Sequence, residues 1–388
     1  MSVTPFTIAI PESEIEELRR RLRAARWPDQ PTDTGWELGT DIAYLRELVA
    51  YWGSGFDWRA REAELNRLPQ LKIDLDGTVI HFAHVKGKGG AGGGRLPLIL
   101  THGWPGSFAE FAKIVPMLTD PQAHGGDAED AFDVVVPSLP GYGFSDPPAS
   151  LGVDPFFIAD LWAKLMTELG YPRFAAQGGD WGASVTTALG LRHPGRLVGL
   201  HVNYIPGSFQ ISEEAGAFSE EERASLARRA EWAEAEGGYA HIQRTRPQSL
   251  AYALNDSPVG LAAWIVEKFR AWSDCGGVVE RAITHDEVLT DISIYWFTQT
   301  IASSMRLYYE ARLKPLRFRP GDKVRVPCAI ARFPREIPIP ARSIIERAYD
   351  LRRWTEMPRG GHFAALEQPE LLAQDIRAFF RPLRSTAR

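Results

Sequence analysis

Apolar positions recur along this chain with two different periods, and the switches between them divide it. Pro5 to Ile10 alternates as a short strand does. Ile15, Leu18, Leu22 and Ala25 then share one helical face behind Ser13-Glu14-Ile15-Glu16, a capping box in which two side chains satisfy free N–H groups of the first turn. Acids lead this helix and arginines trail it, as the helix dipole favours. Trp27-Pro28-Asp29 ends it, Asp41 to Trp52 predicts a second helix, and Trp58 to Leu65 a third. Trp27, Trp36, Tyr44, Tyr51, Trp52, Phe56 and Trp58 crowd the same stretch. Aromatics at that density predict burial against a neighbouring body, so the segment is expected to wrap a larger domain.

From Leu71 the period turns to two. Leu71 to Leu75 and Thr78 to Phe82 flank Asp76-Gly77, the signal of a hairpin with a type I′ turn. Gly87 to Gly94 predicts a flexible surface connection. Short apolar strands follow at Leu96 to Leu100, Phe132 to Val136, Phe174 to Ala176 and Leu197 to Asn203. Between them lie a helix from about Asp154 to Leu169, ended by Gly170, and another from Ala183 to Leu189. Such alternation predicts an α/β fold with a mostly parallel central sheet covered by helices. From Pro206 to about Arg312 the pattern is helical alone. It opens with a second capping box at Ser219-Glu220-Glu221-Glu222, stops at Gly237-Gly238, and continues through Leu261 to Trp272 and an apolar run from Ile292 to Tyr309. The sheet resumes at Val324 to Ala331, a helix is expected at about Ser343 to Tyr349, and Glu370 to Phe380 closes the chain. The expected division is an N-terminal extension over 1–95, whose hairpin can join the sheet, a first part of the core over 96–205, a helical cap over 206–312 and a second part of the core over 313–388.

Composition narrows this picture mainly by exclusion. With 388 residues, 44% hydrophobic and 24% charged, the chain is a globular protein able to bury a large core. A net charge of -5, with basic runs such as Arg19-Arg20-Arg21 punctuated by acids, gives no nucleic-acid footprint. Cys275 and Cys328 lie far apart, without metal-like spacing or a disulfide framework. No run approaches the roughly 18 apolar residues of a spanning helix, and no signal-peptide pattern opens the chain. A cytoplasmic, unanchored protein is expected.

The chemistry gathers at Gly178-Gly179-Asp180-Trp181-Gly182, between a predicted strand and a predicted helix. Small residues on both sides of one reactive side chain suit a nucleophile elbow, a sharp strand-to-helix turn that bulkier neighbours would obstruct. Asp in place of the usual Ser changes what the elbow can do. A carboxylate that attacks saturated carbon leaves an ester, which water and a base can cleave, whereas a Ser alkoxide would leave an ether. His102-Gly103-Trp104-Pro105-Gly106-Ser107, after an earlier strand, is a loop able to aim N–H groups at an oxyanion; the backbone N–H groups of Trp104 and Trp181 are the candidates. Later come Glu336, a few residues beyond a strand end, and His362, after Gly360-Gly361. Nucleophile, acid and His in that order match the α/β-hydrolase triad. Glu336 is preferred to Glu346 and Asp350, which fall on the following helix, because a residue near the strand end can reach the imidazole.

His102-Gly103-Trp104-Pro105-Gly106, Gly179-Asp180-Trp181-Gly182, Phe333-Pro334-Arg335-Glu336 and Gly360-Gly361-His362-Phe363-Ala364-Ala365 resemble the microsomal-type epoxide hydrolases, and the Trp27-Pro28-Asp29 region is similar to that family's N-terminal extension. Gly238-Tyr239-Ala240-His241-Ile242-Gln243 and Ser303-Ser304-Met305-Arg306-Leu307-Tyr308 resemble the two cap segments that carry the family's epoxide-polarising tyrosines, with Tyr309 beside Tyr308 leaving the second open by one position. The resemblance implies Asp180 as nucleophile, Glu336 and His362 as the water-activating pair, and Tyr239 and Tyr308 as acids. It implies no metal or organic cofactor. The expected partners are a small-molecule epoxide and water, with no nucleic acid and no membrane, and with self-association into a homo-oligomer allowed. An aromatic-rich cap suggests an apolar or aryl epoxide as substrate of an epoxide hydrolase that makes vicinal diols. The Ala/Arg/Gly-rich composition points to a high-GC bacterial source, where such an enzyme serves detoxification, catabolism or natural-product biosynthesis. Two rival readings share the elbow: a haloalkane dehalogenase, which would hold halide with indole N–H groups such as that of Trp181, and a catalytically idle receptor on the same fold.

Overall fold

Nine strands hydrogen-bond into one sheet in the computed structural model, which describes residues 2–89, 95–206, 209–211 and 217–387. In chain order these are β1 (Thr4–Phe6), β2 (Gln70–Leu75), β3 (Thr78–Val85), β4 (Leu96–Thr101), β5 (Phe132–Pro137), β6 (Phe174–Gly178) and β7 (Leu197–Val202). Beyond a separate pair, β8 (Gln210–Ile211) and β9 (Arg317–Phe318), come β10 (Val324–Arg332) and β11 (Tyr349–Glu356). The spatial order is β1-β2-β3-β5-β4-β6-β7-β10-β11. Every neighbouring pair from β5 to β11 is parallel, and the hairpin side is antiparallel. Strands β4 to β7 are apolar nearly throughout because helices cover both faces, and Leu98, Ile99, Val134, Val135, Ala176 and Leu200 lose all contact with solvent.

Helices α1 (Glu12–Arg23), α2 (Ile42–Ser54) and α3 (Trp58–Leu65) precede the hairpin; α4 (Ile114–Thr119), α5 (Pro155–Glu168) and α6 (Asp180–Arg192) connect the parallel strands. Between β8 and β9 stand α7 (Glu220–Glu236), α8 (Gly238–Thr245), α9 (Pro247–Asp256), α10 (Pro258–Trp272), α11 (His285–Thr298) and α12 (Ile301–Leu313). The chain ends with α13 (Arg342–Ala348), α14 (Ala364–Glu367) and α15 (Pro369–Phe380) ahead of a last 3-10 turn. The N-terminal aromatics bury against the helical insertion: Trp52 donates to Ser293 Oγ at 3.0 Å, Tyr51 to Asp286 at 2.8 Å, and Trp58 meets Phe297. Among the described residues no helix is long and apolar enough to cross a membrane.

Local chemistry accounts for several element ends. Asp76 (φ 58°) and Gly77 (φ 83°) both lie in the left-handed region that a type I′ hairpin turn requires. Asp41, Asp57 and Asp154 cap α2, α3 and α5 through their carboxylates, and the Ser219/Glu222 capping box of α7 forms in both directions. The expected box at Ser13 does not form. Helix α1 begins two residues earlier, at Glu12 behind Pro11 (φ -56°), so Ser13 sits inside the first turn and cannot cap it.

Three other expectations change. β1 runs over Thr4–Phe6 and not to the expected end at Ile10, because the Asn66 side chain takes both backbone groups of Ile8, donating to its carbonyl at 2.8 Å and accepting its N–H at 2.9 Å. The stretch from Pro206 to Arg312 is not helical alone: β8 pairs with β9 and joins the two ends of the insertion, and two residues are too few to show a period. The expected helix end at Tyr349 is instead the start of β11, an edge strand whose exposed Arg352 and half-buried neighbours mask its alternation. Of the expected Gly87 to Gly94 connection, 90–94 lie outside the described residues.

Candidate active site

Strand register brings the site together. β4 and β6 pair so that Thr101 lies opposite Gly178, which sets the loop beginning at His102 beside the turn carrying Asp180. That turn needs its glycines: a Cβ on Gly182 would fall 1.8 Å from the Thr101 carbonyl oxygen, and one on Gly103 would fall 2.2 Å from Asp180 Oδ1. Asp180 itself adopts φ 47°, a conformation that costs a non-glycine residue energy and survives only where its surroundings fix it. The Trp104 N–H donates to Asp180 Oδ1 at 2.7 Å. The Trp181 N–H lies in the first turn of α6, where a helix offers no internal acceptor. His102 is a strut between loops. Its Nδ1 meets the Gly103 carbonyl at 3.0 Å, its Nε2 accepts the Leu139 N–H at 3.1 Å, and burial holds its pKa down at about 4.

A second register places the other half. A backbone bridge aligns Arg335 with Gly361, so the residues that follow each, Glu336 and His362, face one another. Glu336 Oε1 lies 2.5 Å from His362 Nδ1, and His362 Nε2 lies 3.4 Å from Asp180 Oδ2. Burial alone would depress the imidazole, but the charges of Glu336 and Asp180 outweigh it and hold the His362 pKa well above the ordinary value. Glu346 and Asp350 are elsewhere, paired with Arg342 and Arg352. The loop is anchored by Glu367, which accepts the N–H groups of Phe363 at 3.0 Å and Asp274 at 2.7 Å.

The insertion supplies the facing wall. Tyr239 on α8 and Tyr308 on α12 present rings 5.9 Å apart and nearly perpendicular, and Trp104 stacks on Tyr239 at 5.4 Å. Burial pushes both phenols well above the ordinary tyrosine value, so they stay protonated. Tyr309 is outside this wall, its ring under the Arg312 guanidinium at 5.2 Å. A cavity of about 420 Å³ opens in front of Asp180, lined also by Trp181, Tyr204, Trp232, Tyr239 and Tyr308. Behind Asp180 a chamber of about 20 Å³ touches His362, Gly106 and Glu110. Among the described residues no group of three or more His, Cys, Asp or Glu side chains is arranged to hold a metal ion.

Sequence reasoning missed two carboxyls near this site, half-buried Glu110 and buried Asp291. Burial pushes Glu110 well above the ordinary carboxyl value and Asp291 up to about 7. A signal existed for Glu110, an acid flanked by apolar residues in Phe108-Ala109-Glu110-Phe111, where a solvated face would show polar neighbours; Asp291, between Thr290 and Ile292, carries no such signal.

Comparison with known proteins agrees with this geometry. A family model described as epoxide hydrolase N terminus matches residues 3–111, and one described as alpha/beta hydrolase fold matches residues 97–235. A protein of Stigmatella aurantiaca (strain DW4/3-1), provisionally named an epoxide hydrolase, is 48% identical over 384 residues, covering 99% of this chain and 86% of that one. Epoxide hydrolase 1 of Sus scrofa is 39% identical over 408 residues, covering 97% of this chain and 88% of its own. The crystal structure of juvenile hormone epoxide hydrolase from the silkworm Bombyx mori matches at a TM-score of 0.85 with 30% identity, covering 100% of this chain and 95% of that one. With both segments matched, and with relatives aligned along nearly its whole length, the chain belongs to the epoxide hydrolases built on the α/β-hydrolase fold.

Proposed function

We propose that this enzyme opens an apolar epoxide with Asp180 and hydrolyses the resulting ester with water activated by His362. The observation that carries this reading is the position of the Asp180 carboxylate, between two protonated phenols across the front cavity and the His362–Glu336 pair behind it. In the first step a carboxylate oxygen of Asp180 attacks an epoxide carbon, the ring C–O bond breaks, and Tyr239 or Tyr308 donates a proton to the departing oxygen. In the second step His362 takes a proton from water, and the hydroxide attacks the ester carbonyl. The N–H groups of Trp104 and Trp181 stabilise the oxyanion, at a cost of about 10²–10³ in rate when such a donor is lost. Collapse breaks the bond to the diol oxygen, which takes the proton held by His362 as the vicinal diol leaves, and the second proton of the water passes from the Asp180 carboxyl to restore the phenol. Glu336 fixes the imidazole tautomer and stabilises its protonated form.

A substrate of modest size with an apolar or aryl body fits the aromatic side of the front cavity, since five aromatic residues line its roughly 420 Å³ and offer dispersion contact, while Gln210, Arg244, Arg312 and Arg317 line the rest and can take a polar substituent. A panel of terminal, internal and aryl epoxides tests the reading. Diol should form from at least the aryl members, and Asp180→Ala should abolish it while the circular dichroism spectrum stays unchanged. Diol formation by Asp180→Ala at the wild-type rate would remove Asp180 from the chemistry.

A further inference from the structure

While the ester occupies the front cavity, the hydrolytic water needs another way to reach His362. A second cavity, of about 610 Å³, lies among the N-terminal extension, the loop after β4 and the helical insertion. Exposed Glu64 and Lys113 and half-buried Asp286 stand along it, so it communicates with bulk water. Gly106 and Glu110 line it too, and the same two residues line the chamber of about 20 Å³ that touches Asp180 and His362. One water needs about 10–15 Å³, so that chamber has room for about one.

We propose that this rear cavity is the water inlet of the ester-hydrolysis step, and that Glu110 binds the incoming water where the cavity meets the chamber behind Asp180. The inference rests on the ester mechanism proposed above. Cavities lined only by hydrocarbon stay dry, but this one carries two carboxyls at its inner side, half-buried Glu110 and buried Asp291. Asp291 Oδ2 is buried without a hydrogen-bond partner, and Glu110 has no ion pair among the described residues. Burial and the charges of Asp291 and Asp180 raise the Glu110 pKa, with His362 acting against them, which favours its neutral form. A neutral carboxyl can donate one hydrogen bond to a water and accept another, which is what passing a water toward His362 requires. The Gly106 position leaves the Glu110 carboxyl room: a Cβ there would come within 2.5 Å of Glu110 Oε2.

Rapid-quench kinetics with styrene oxide separates the two steps, following the Asp180 ester by intact-protein mass. Ala109 lines the rear cavity and not the front one, so Ala109→Phe should fill the inlet. It should slow ester hydrolysis at least tenfold and leave ester formation within twofold of wild type. Glu110→Leu should do the same, whereas Glu110→Gln, which keeps a donor and an acceptor, should stay within about threefold in both steps. The ester-formation rate reports a folded site in each variant. Ester hydrolysis within twofold of wild type in either Ala109→Phe or Glu110→Leu would overturn the proposal, as would equal slowing of both steps. If wild type forms no ester at all, the mechanism beneath it fails instead; variants that form ester normally bear on the inlet alone.

Discussion

The Nδ1 atom of His362 and Oε1 of Glu336 lie 2.5 Å apart, held in line by the backbone bridge between Arg335 and Gly361 that precedes both. The carboxylate raises the imidazole pKa, and so does ionised Asp180 on the other side. A protonated imidazole cannot take a proton from water. Ester formation removes the Asp180 charge, so His362 becomes a competent base at the moment the ester needs one. Ester hydrolysis should therefore rise with pH through the His362 midpoint and then level off. Glu336→Gln removes the remaining charge that raises this midpoint, so the profile should move to lower pH, and a weaker base should lower the plateau about tenfold. A pH profile of single-turnover hydrolysis for both proteins checks this; an unmoved midpoint would show that Glu336 does not set the basicity of His362.

Removing the base should trap the intermediate. His362→Gln is expected to form the ester at near the wild-type rate and to lose at least about 10³ in its hydrolysis, the upper part of the range for general-base catalysis. Intact-protein mass spectrometry should show a substrate-sized adduct that maps by peptide analysis to Asp180. Absence of the adduct, with substrate still bound, would assign the base elsewhere.

Each cap phenol faces the front cavity and is held protonated by burial. A hydrogen bond to a developing alkoxide contributes about 1.5–3 kcal/mol, so Tyr239→Phe and Tyr308→Phe should each slow ester formation about ten- to a hundredfold. The double variant should nearly abolish it, and substrate binding should change far less. Tyr309→Phe should have no such effect, since its ring lies under Arg312. Halide release from haloalkanes faster than diol formation from any epoxide would favour the rival reading, in which indole N–H groups hold the leaving group.

Asp375 tests the frame. Its carboxylate lies 3.0 Å from His201 Nε2 on β7 and accepts from Arg353 and Thr355 on β11, so one buried group on α15 ties two strands together. Burial would raise its pKa, but these partners outweigh it and bring it from 3.8 to about 2. Because the folded value is depressed, the stabilisation is present above the unfolded value and is lost as pH falls through the folded one. Asp375→Asn should cost about 2 kcal/mol at neutral pH, and the difference from wild type should shrink below about pH 4. Urea unfolding across that range checks the window.

The sequence exposes elements whose signals are local. The Asp76-Gly77 turn, the carboxylate caps at Asp41 and Asp154 and the small residues around Asp180 each state their geometry within five residues. The proximity of Asp180, Glu336 and His362 was legible through chain order, since a parallel sheet returns successive loops to one edge. Tyr239 and Tyr308 had no such signal: a lone tyrosine on a predicted helix looks like packing, and only the family resemblance singled them out. What stayed hidden depends on distant partners. Asn66 ends β1 from 58 residues away, β8 meets its partner only after the whole helical insertion, and Glu110 meets the charge of Asp291 only through that insertion.

The central claim is that Asp180, and not water, makes the first bond to carbon. A single turnover in H₂¹⁸O, with enzyme in excess over epoxide, tests it most directly. Unlabelled diol is expected in that first turnover, with one ¹⁸O appearing in the carboxylate of the Asp180 peptide. Diol carrying ¹⁸O at once, with an unlabelled Asp180 peptide, would mean direct attack by water and would contradict it.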